Sequence, residues 1–259
     1  MNKNKNHQAI DRLLHIMEEL REKCPWDKKQ TIESLRYLTI EETYELSDAI
    51  LDNDMDEIKK ELGDIMLHLV FYSKIAEEKK AFDFAEMVNG ICEKLIKRHP
   101  HVFGEVTVND AEDVKVNWEK IKLSEGRKSV LGGVPKSLPA MVKAFRIQEK
   151  VHGVNFDWEN SSQVLDKVKE EISEFEQEIK QNKTQEMEEE FGDVLFSMIN
   201  YARFLNINPE DALEKTNRKF INRFQKMEEL IAHDKKVISE MNLSEMDVYW
   251  EKAKGMNNA

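Results

Sequence analysis

The chain has 259 residues, of which 40% are hydrophobic, 35% are charged and 8% are aromatic. This length and composition exclude a disordered chain and favour one large or two small helical domains. The formal net charge of -12 disfavours binding to nucleic acid or to an anionic membrane, because both are polyanions. The two cysteines form no CxxC motif, and no apolar run is long enough for a membrane span or a secretion signal, so we expect a cytoplasmic protein.

Helical patterns follow one another along the chain. The first is an apolar face formed by Ile10, Leu13, Leu14, Met17 and Leu20. Further helices are expected to begin after Asp54 and Asp83, each with a glutamate three residues later, and after Asn208, which precedes a proline. Segment 126–139 interrupts the pattern with three glycines and two prolines. We therefore predict an all-α protein in which this hinge separates an N-terminal domain, 1–125, from a C-terminal domain, 140–259.

An internal duplication relates the two halves. Residues 38–75 align without a gap on residues 167–204, an offset of 129, and ten of the 38 positions are identical. The identities include two sets of four acids, Glu42, Glu45, Glu61 and Asp64 in the first copy and Glu171, Glu174, Glu190 and Asp193 in the second. Because most other positions differ, the retained acids indicate a function rather than an ordinary solvated helix face. The duplication predicts two tandem helical-bundle domains.

The spacing of these acids predicts a metal site. Glu171 and Glu174 lie three residues apart, as do Glu190 and Asp193, so each pair shares one helix face. A turn at 181–183 would make the two helices antiparallel and bring the pairs together. Apolar residues follow at once, so the carboxylates would be partly buried, and their repulsion would either raise their pKa values or require a divalent cation. Oxygen ligands favour Mg²⁺, with Mn²⁺ as a substitute. A di-iron site is the weaker alternative, because the second copy has no Glu-x-x-His pair.

These acids, with their neighbouring motifs, resemble the EExxE…ExxD signature of the MazG nucleoside triphosphate pyrophosphohydrolases. The resemblance extends through "CPWDKKQT" (24–31), "RHPHVFGE" (98–105), "LPAMVKAFRIQEK" (138–150), "FDW" (156–158) and "YWEKAK" (249–254). It implies an all-α homodimer that hydrolyses NTPs and dNTPs with broad specificity, using Mg²⁺, to a nucleoside monophosphate and pyrophosphate, for control of the nucleotide pool. The catalytic metal ligands would be Glu171, Glu174, Glu190 and Asp193, and a second, weaker site would be Glu42, Glu45, Glu61 and Asp64.

A triphosphate also needs cations from the protein. Lys219 and Arg223 lie four residues apart on one helix face, and Lys167 lies four residues before Glu171. The resemblance implies a nucleotide-binding set of Lys167, Val168, Lys169, Glu170, Glu171, Glu186, Met187, Glu188, Glu189, Asp193, Lys219, Phe220, Arg223, Trp250 and Lys254. In the first copy Leu38 replaces Lys167 and Val102 replaces Arg223. We therefore expect the C-terminal site to perform most of the hydrolysis.

Two alternatives stay open at this point. One is a pyrophosphatase with narrow specificity for a substrate such as dUTP or dCTP. The other is a non-catalytic helical adaptor whose acidic faces recruit basic partners. Pyrophosphate release that depends on Mg²⁺ separates the enzymes from the adaptor.

Overall fold

The computed structural model describes residues 3–108, 110, 113–114, 117–118, 121, 125 and 129–256. These residues form α-helices and short 3₁₀ turns and include no strand, which confirms the predicted all-α class. The helices are α1 (Lys3–Lys23), α2 (Ile32–Asp52), α3 (Met55–Glu78), α4 (Phe84–Arg98), α5 (Pro100–Phe103), α6 (Ala140–His152), α7 (Ser161–Gln181), α8 (Thr184–Phe204), α9 (Pro209–His233) and α10 (Leu243–Met256). None of the described helices is long and apolar enough to cross a membrane.

The chain divides into two compact units, Met1–Thr107 and Val108–Ala259. Each unit contains one copy of the duplicated helix pair, α2 and α3 in the first and α7 and α8 in the second. In the predicted hinge, residues 126–128 lie outside the described residues, and a 3₁₀ turn spans Val130–Gly133. The domain limits inferred from the sequence stay a prediction.

The helix starts follow the capping residues seen in the sequence. Asp54 accepts hydrogen bonds from the backbone N–H groups of Asp56 and Glu57 at the start of α3. Asp83 forms a reciprocal capping box with Glu86 at the start of α4. The side chain of Asn208 accepts hydrogen bonds from the backbone N–H groups of Glu210 and Asp211 at the start of α9, and Pro209 takes the first helical position, where a missing N–H costs nothing. The three predicted helix starts are confirmed.

The core of the first unit lies between α1 and the α2–α3 pair. Met17, Leu35, Val70, Phe71 and Ile75 are buried there, and Leu13 and Leu14 pack against them. The apolar face predicted for α1 therefore faces the core at these positions, whereas Ile10 is 39% exposed.

The two helix pairs match residue for residue. Helices α7 and α2 have the same length and begin and end at the offset of 129 found in the sequence, and α8 begins at the position equivalent to the start of α3. Asn53 and Asn182 end the first helix of each pair, both with a left-handed φ of 55°. Asparagine tolerates this conformation better than most residues, so it suits a tight connection between antiparallel helices. The duplication is confirmed in the backbone.

The copies diverge where the sequence aligns 93–103 with 214–224. Helix α4 ends at Arg98, and α5 starts at Pro100. A proline lacks a backbone N–H and disfavours helical geometry in the residue before it, which here is His99. The second copy has Phe220 and Ile221 in place of His99 and Pro100, and α9 runs unbroken through this segment. The helix that carries Lys219 and Arg223 thus has no continuous counterpart in the first unit.

Candidate active site

The α7–α8 pair brings three carboxylates together. Glu171 and Glu174 lie on α7 and Glu190 lies on α8, and each offers an oxygen within 4.8 Å of the other two. Glu171 is 8% exposed, Glu190 is half-buried and Glu174 is exposed. Asp193 lies outside this set of three, although its charge still acts on Glu190. The site therefore offers three convergent oxygen ligands, with a fourth carboxylate nearby.

The carboxylates of this cluster repel one another. Desolvation, and then the charges of Glu174, Asp193 and Glu171, raise the pKa of Glu190. Desolvation, and then the charge of Glu171, raise the pKa of Glu174. Raised values mean that the ionised forms are disfavoured unless a cation is present. An oxygen-only donor set of this density fits a hard divalent cation.

Lys167 is the protein's own cation at this cluster. Its Nζ lies 2.7 Å from an oxygen of Glu170 and 2.9 Å from Oε1 of Glu171. These hydrogen bonds, first to Glu170 and then to Glu171, raise the pKa of Lys167, so it stays protonated. One positive charge compensates only part of the negative charge of Glu171, Glu174 and Glu190. A divalent ion can still bind favourably.

The first unit has an equivalent cluster without the lysine. Glu42, Glu45 and Glu61 offer oxygens within 4.8 Å of one another, and Asp64 lies outside the set as Asp193 does. Glu61 is 8% exposed, and its Oε2 is buried without a hydrogen-bond partner. A buried, unpaired carboxylate oxygen is costly unless it has a ligand, so this donor set also fits a metal ion. Leu38, the counterpart of Lys167, packs against the core.

The aromatic residues predicted for the nucleotide, and the cations Lys219, Arg223 and Lys254, lie on α9 and α10. The ring of Phe220 is 5.1 Å from that of Trp250 and 6.2 Å from that of Phe224. Phe220 is 55% exposed, so one side of this aromatic group is open. Helix α9 packs chiefly against α10 and little against α8. Phe220, Phe224 and Trp250 therefore form one aromatic group on α9 and α10.

The cations near this aromatic group have different surroundings. Lys254 pairs with Glu251 at 3.2 Å. Lys219 is exposed, and the Nε of Arg223 is buried without a hydrogen-bond partner. Within the described part of the chain, no hydrogen bond or ion pair joins Lys219 or Arg223 to the carboxylates of α7 and α8. Lys219 is therefore open to solvent, whereas Arg223 is half-buried.

The other residues predicted to contact the nucleotide differ in their exposure to solvent. Lys169 is exposed and pairs with Asp166 at 2.9 Å. Val168 is 3% exposed, so its side chain packs in the interior. At the start of α8 the remaining members of the set are mostly open to solvent, with Met187 half-buried and Glu186, Glu188 and Glu189 exposed. Surface position leaves the three glutamates accessible to a ligand.

An ionic network that the sequence did not predict lies at the other end of the helix pair. The Nη2 of Arg203 donates to both carboxylate oxygens of Asp157, at 2.6 and 2.7 Å. Its Nε donates to Oδ1 of Asn200 at 3.0 Å, and Nδ1 of His152 lies 2.6 Å from Asp157. The network ties the segment before α7 to the end of α8 and borders a cleft of about 710 Å³ that none of the cluster carboxylates lines. The motif "FDW" was its only signal in the sequence.

The fold and the two carboxylate clusters define a duplicated all-α protein in which each copy brings together three carboxylates that could hold a metal ion. The family model described as "MazG nucleotide pyrophosphohydrolase domain" matches residues 30–103 and 159–227. The chain is 47% identical to the nucleoside triphosphate pyrophosphohydrolase/pyrophosphatase MazG of Thermotoga maritima, over 95% of this chain and 96% of that protein. It is 41% identical to the nucleoside triphosphate pyrophosphohydrolase of Escherichia coli K12, over 95% of this chain and 97% of that protein.

Among solved structures, a mazG-related protein from Thermotoga maritima aligns with 44% of this chain and 98% of its own, at 29% identity and a TM-score of 0.40. The chain belongs to the MazG nucleotide pyrophosphohydrolase family, as its motifs predicted.

Proposed function

We propose that this protein is an enzyme that hydrolyses nucleoside triphosphates, both NTPs and dNTPs, to nucleoside monophosphate and pyrophosphate with Mg²⁺ at the C-terminal cluster. The observation that carries the proposal is the approach of Glu171, Glu174 and Glu190 within 4.8 Å across two helices. The relatives from Thermotoga maritima and Escherichia coli are both nucleoside triphosphate pyrophosphohydrolases, which supports this activity. Broad specificity fits an open aromatic surface, because stacking on Phe220 and Trp250 would accept any base.

The residues of the cluster divide the chemistry among them. Glu171, Glu174 and Glu190, together with Asp193, would hold the ion. Bound Mg²⁺ would screen the charge of the triphosphate and lower the pKa of a water molecule. Glu174 is exposed and has a raised pKa, so it is our candidate for the base that accepts the proton of the water that attacks the α-phosphorus in line.

Lys167 supports the phosphate side of this site. It already lies at Glu171 as a protonated amine, so it can bind a phosphate oxygen without a large movement. Lys219 and Arg223 would bind the remaining charge of the triphosphate. The C-terminal site should therefore perform most of the hydrolysis, because the first unit has Leu38 and Val102 at two of these positions and an interrupted helix at Pro100.

A homodimer is part of the proposal. On α8, Phe191, Leu195 and Met198 follow one another at helical spacing and are 50%, 46% and 47% exposed. An apolar stripe of this kind is expected to be covered by another surface, and a second copy of the chain is the partner that the resemblance implies. The cytoplasmic location stays a prediction from the sequence.

Product analysis tests the proposal. The wild-type chain is incubated with the eight common NTPs and dNTPs, with and without Mg²⁺, and the products are separated by chromatography. We expect monophosphate and pyrophosphate from most substrates only when Mg²⁺ is present, and neither from the variant E171Q/E174Q. Cleavage of a single pyrimidine substrate would instead support a narrow pyrophosphatase, and the absence of any cleavage would support the adaptor.

A further inference from the structure

Tyr249 ties α10 to the end of α9. Its ring is 5% exposed and packs in a core cluster with Met227, Ile231 and Ala253. Its hydroxyl donates a hydrogen bond of 2.8 Å to Oδ2 of Asp234, the residue that caps the C-terminus of α9. The side chain is thus held at both its apolar and its polar end.

The other oxygen of Asp234 is held as well. Nδ1 of His233 lies 3.2 Å from Oδ1 of Asp234. The amines of Lys236 and Lys252 lie 5.4 Å and 4.9 Å from the centroid of the Tyr249 ring, within the range of cation–π attraction. Contacts from both helices therefore converge on the bond between Tyr249 and Asp234.

This bond adds a directional contact to the packing of α10 on α9. A buried ring alone can slide along an apolar surface, whereas a hydrogen bond at its tip specifies one register and one rotation. Trp250 is the next residue on α10, so its direction follows from that of Tyr249. In the structure it meets Phe220 of α9 at a ring distance of 5.1 Å.

We infer that Asp234 and Tyr249 are positioning residues that orient the Trp250–Phe220 aromatic pair for the base of the nucleotide. The inference rests on the proposed function, because it takes the aromatic pair as the base-binding surface. Neither residue touches the carboxylates, which lie on α7 and α8. Loss of the bond should therefore weaken binding of the base and leave the hydrolytic step unchanged.

Steady-state kinetics of the full chain test the inference. Y249F removes only the hydroxyl, D234A removes the acceptor, and D234N keeps a carbonyl oxygen that can still accept the bond. We expect Y249F and D234A to raise KM for ATP about three- to tenfold, because the aromatic pair loses its fixed geometry. Their kcat should stay within about twofold of wild type. D234N should recover most of the lost affinity.

Two controls separate positioning from general destabilisation. Y72F removes a comparable hydroxyl bond, 2.7 Å from Tyr72 to Oγ1 of Thr39, in the other unit, and should leave KM unchanged. Inorganic tripolyphosphate has no base, so its inhibition constant should be the same for wild type and Y249F. The inference would be overturned if Y249F left KM for ATP unchanged. It would also be overturned if Y249F raised the inhibition constant of tripolyphosphate as much as it raised KM, or if Y72F raised KM as much as Y249F did.

The inference can fail separately from the proposed function. If the wild-type chain releases no pyrophosphate, the proposed function fails. Binding of an α,β-methylene ATP analogue, measured by calorimetry, then decides the inference alone. A weaker binding constant in Y249F with unchanged tripolyphosphate binding supports it, and identical constants for the analogue overturn it.

Discussion

Removal of the Asp157 charge should destabilise the second unit. The variant D157N preserves the shape of the side chain but leaves Arg203 and His152 without their shared carboxylate. The side chains of Asp157 and Arg203 are each 12% exposed, so water can replace the lost contact only in part. Breaking a fully buried ion pair costs about 3–5 kcal/mol, and the residual exposure lowers our expectation to about 2–4 kcal/mol.

This cost should appear as a lower melting temperature. For a unit of this size, a loss of about 3 kcal/mol corresponds to a decrease of roughly 6–12 °C. Three of the four tryptophans, Trp118, Trp158 and Trp250, lie in the second unit, so fluorescence on heating mainly follows its unfolding. The kcat at 25 °C should be unchanged, because the network borders none of the cluster carboxylates Glu171, Glu174 and Glu190.

A matched control comes from the same unit. E229Q breaks the pair between Lys226 and Glu229, whose side chains are 43% and 65% exposed. Exposed pairs contribute at most about 1 kcal/mol, so this variant should melt close to wild type. If D157N and E229Q had the same melting temperature, the network would contribute no more than a surface pair, and our reasoning from burial would be wrong.

Two further predictions concern the clusters. Because the pKa of Glu174 is raised above its ordinary value of 4.5, the folded state binds its proton more tightly, and the stability from this group is full below that pH and is lost as the pH rises through the raised value. Without metal, the melting temperature of E174Q should therefore be above that of wild type at pH 7.5 and equal to it at pH 4. Added Mg²⁺ should raise the melting temperature of wild type more than that of E174Q. A melting temperature of E174Q below that of wild type at pH 7.5 without metal would contradict this prediction. For the two copies, E190Q should abolish pyrophosphate release and E61Q should retain most of it, and the reverse would place the main site in the first unit.

The repeat made much of the fold predictable. Helix bounds in the two copies agree because the same apolar spacing and the same asparagine turn, at Asn53 and Asn182, recur at a fixed offset. Caps such as Asp83 are equally local, since the side chain binds backbone groups within three residues. The approach of Glu171 to Glu190 was predictable for the same reason, because a short turn between two helices leaves little freedom in their pairing.

Long-range contacts gave no such signal. Asp157 and Arg203 lie 46 residues apart, and neither belongs to a periodic pattern, so nothing in the sequence paired them. Residues 93–103 align with 214–224, yet Pro100 divides the first segment between α4 and α5 whereas the second lies within α9. The apolar residues after Asp193 do not all enter the core, since Leu195 and Met198 are nearly half exposed, and the sequence pattern did not distinguish them from their buried neighbour Ile199.

The central claim is that carboxylates from two neighbouring helices hold a divalent ion beside a triphosphate. The most direct measurement is a crystal structure of the full chain with Mn²⁺ and a non-hydrolysable NTP, in which anomalous scattering locates the ion. We predict a peak bounded by Glu171, Glu174, Glu190 and Asp193, next to the phosphate chain. An ordered nucleotide whose metal peak lies elsewhere, with these four side chains turned toward solvent, would contradict the account.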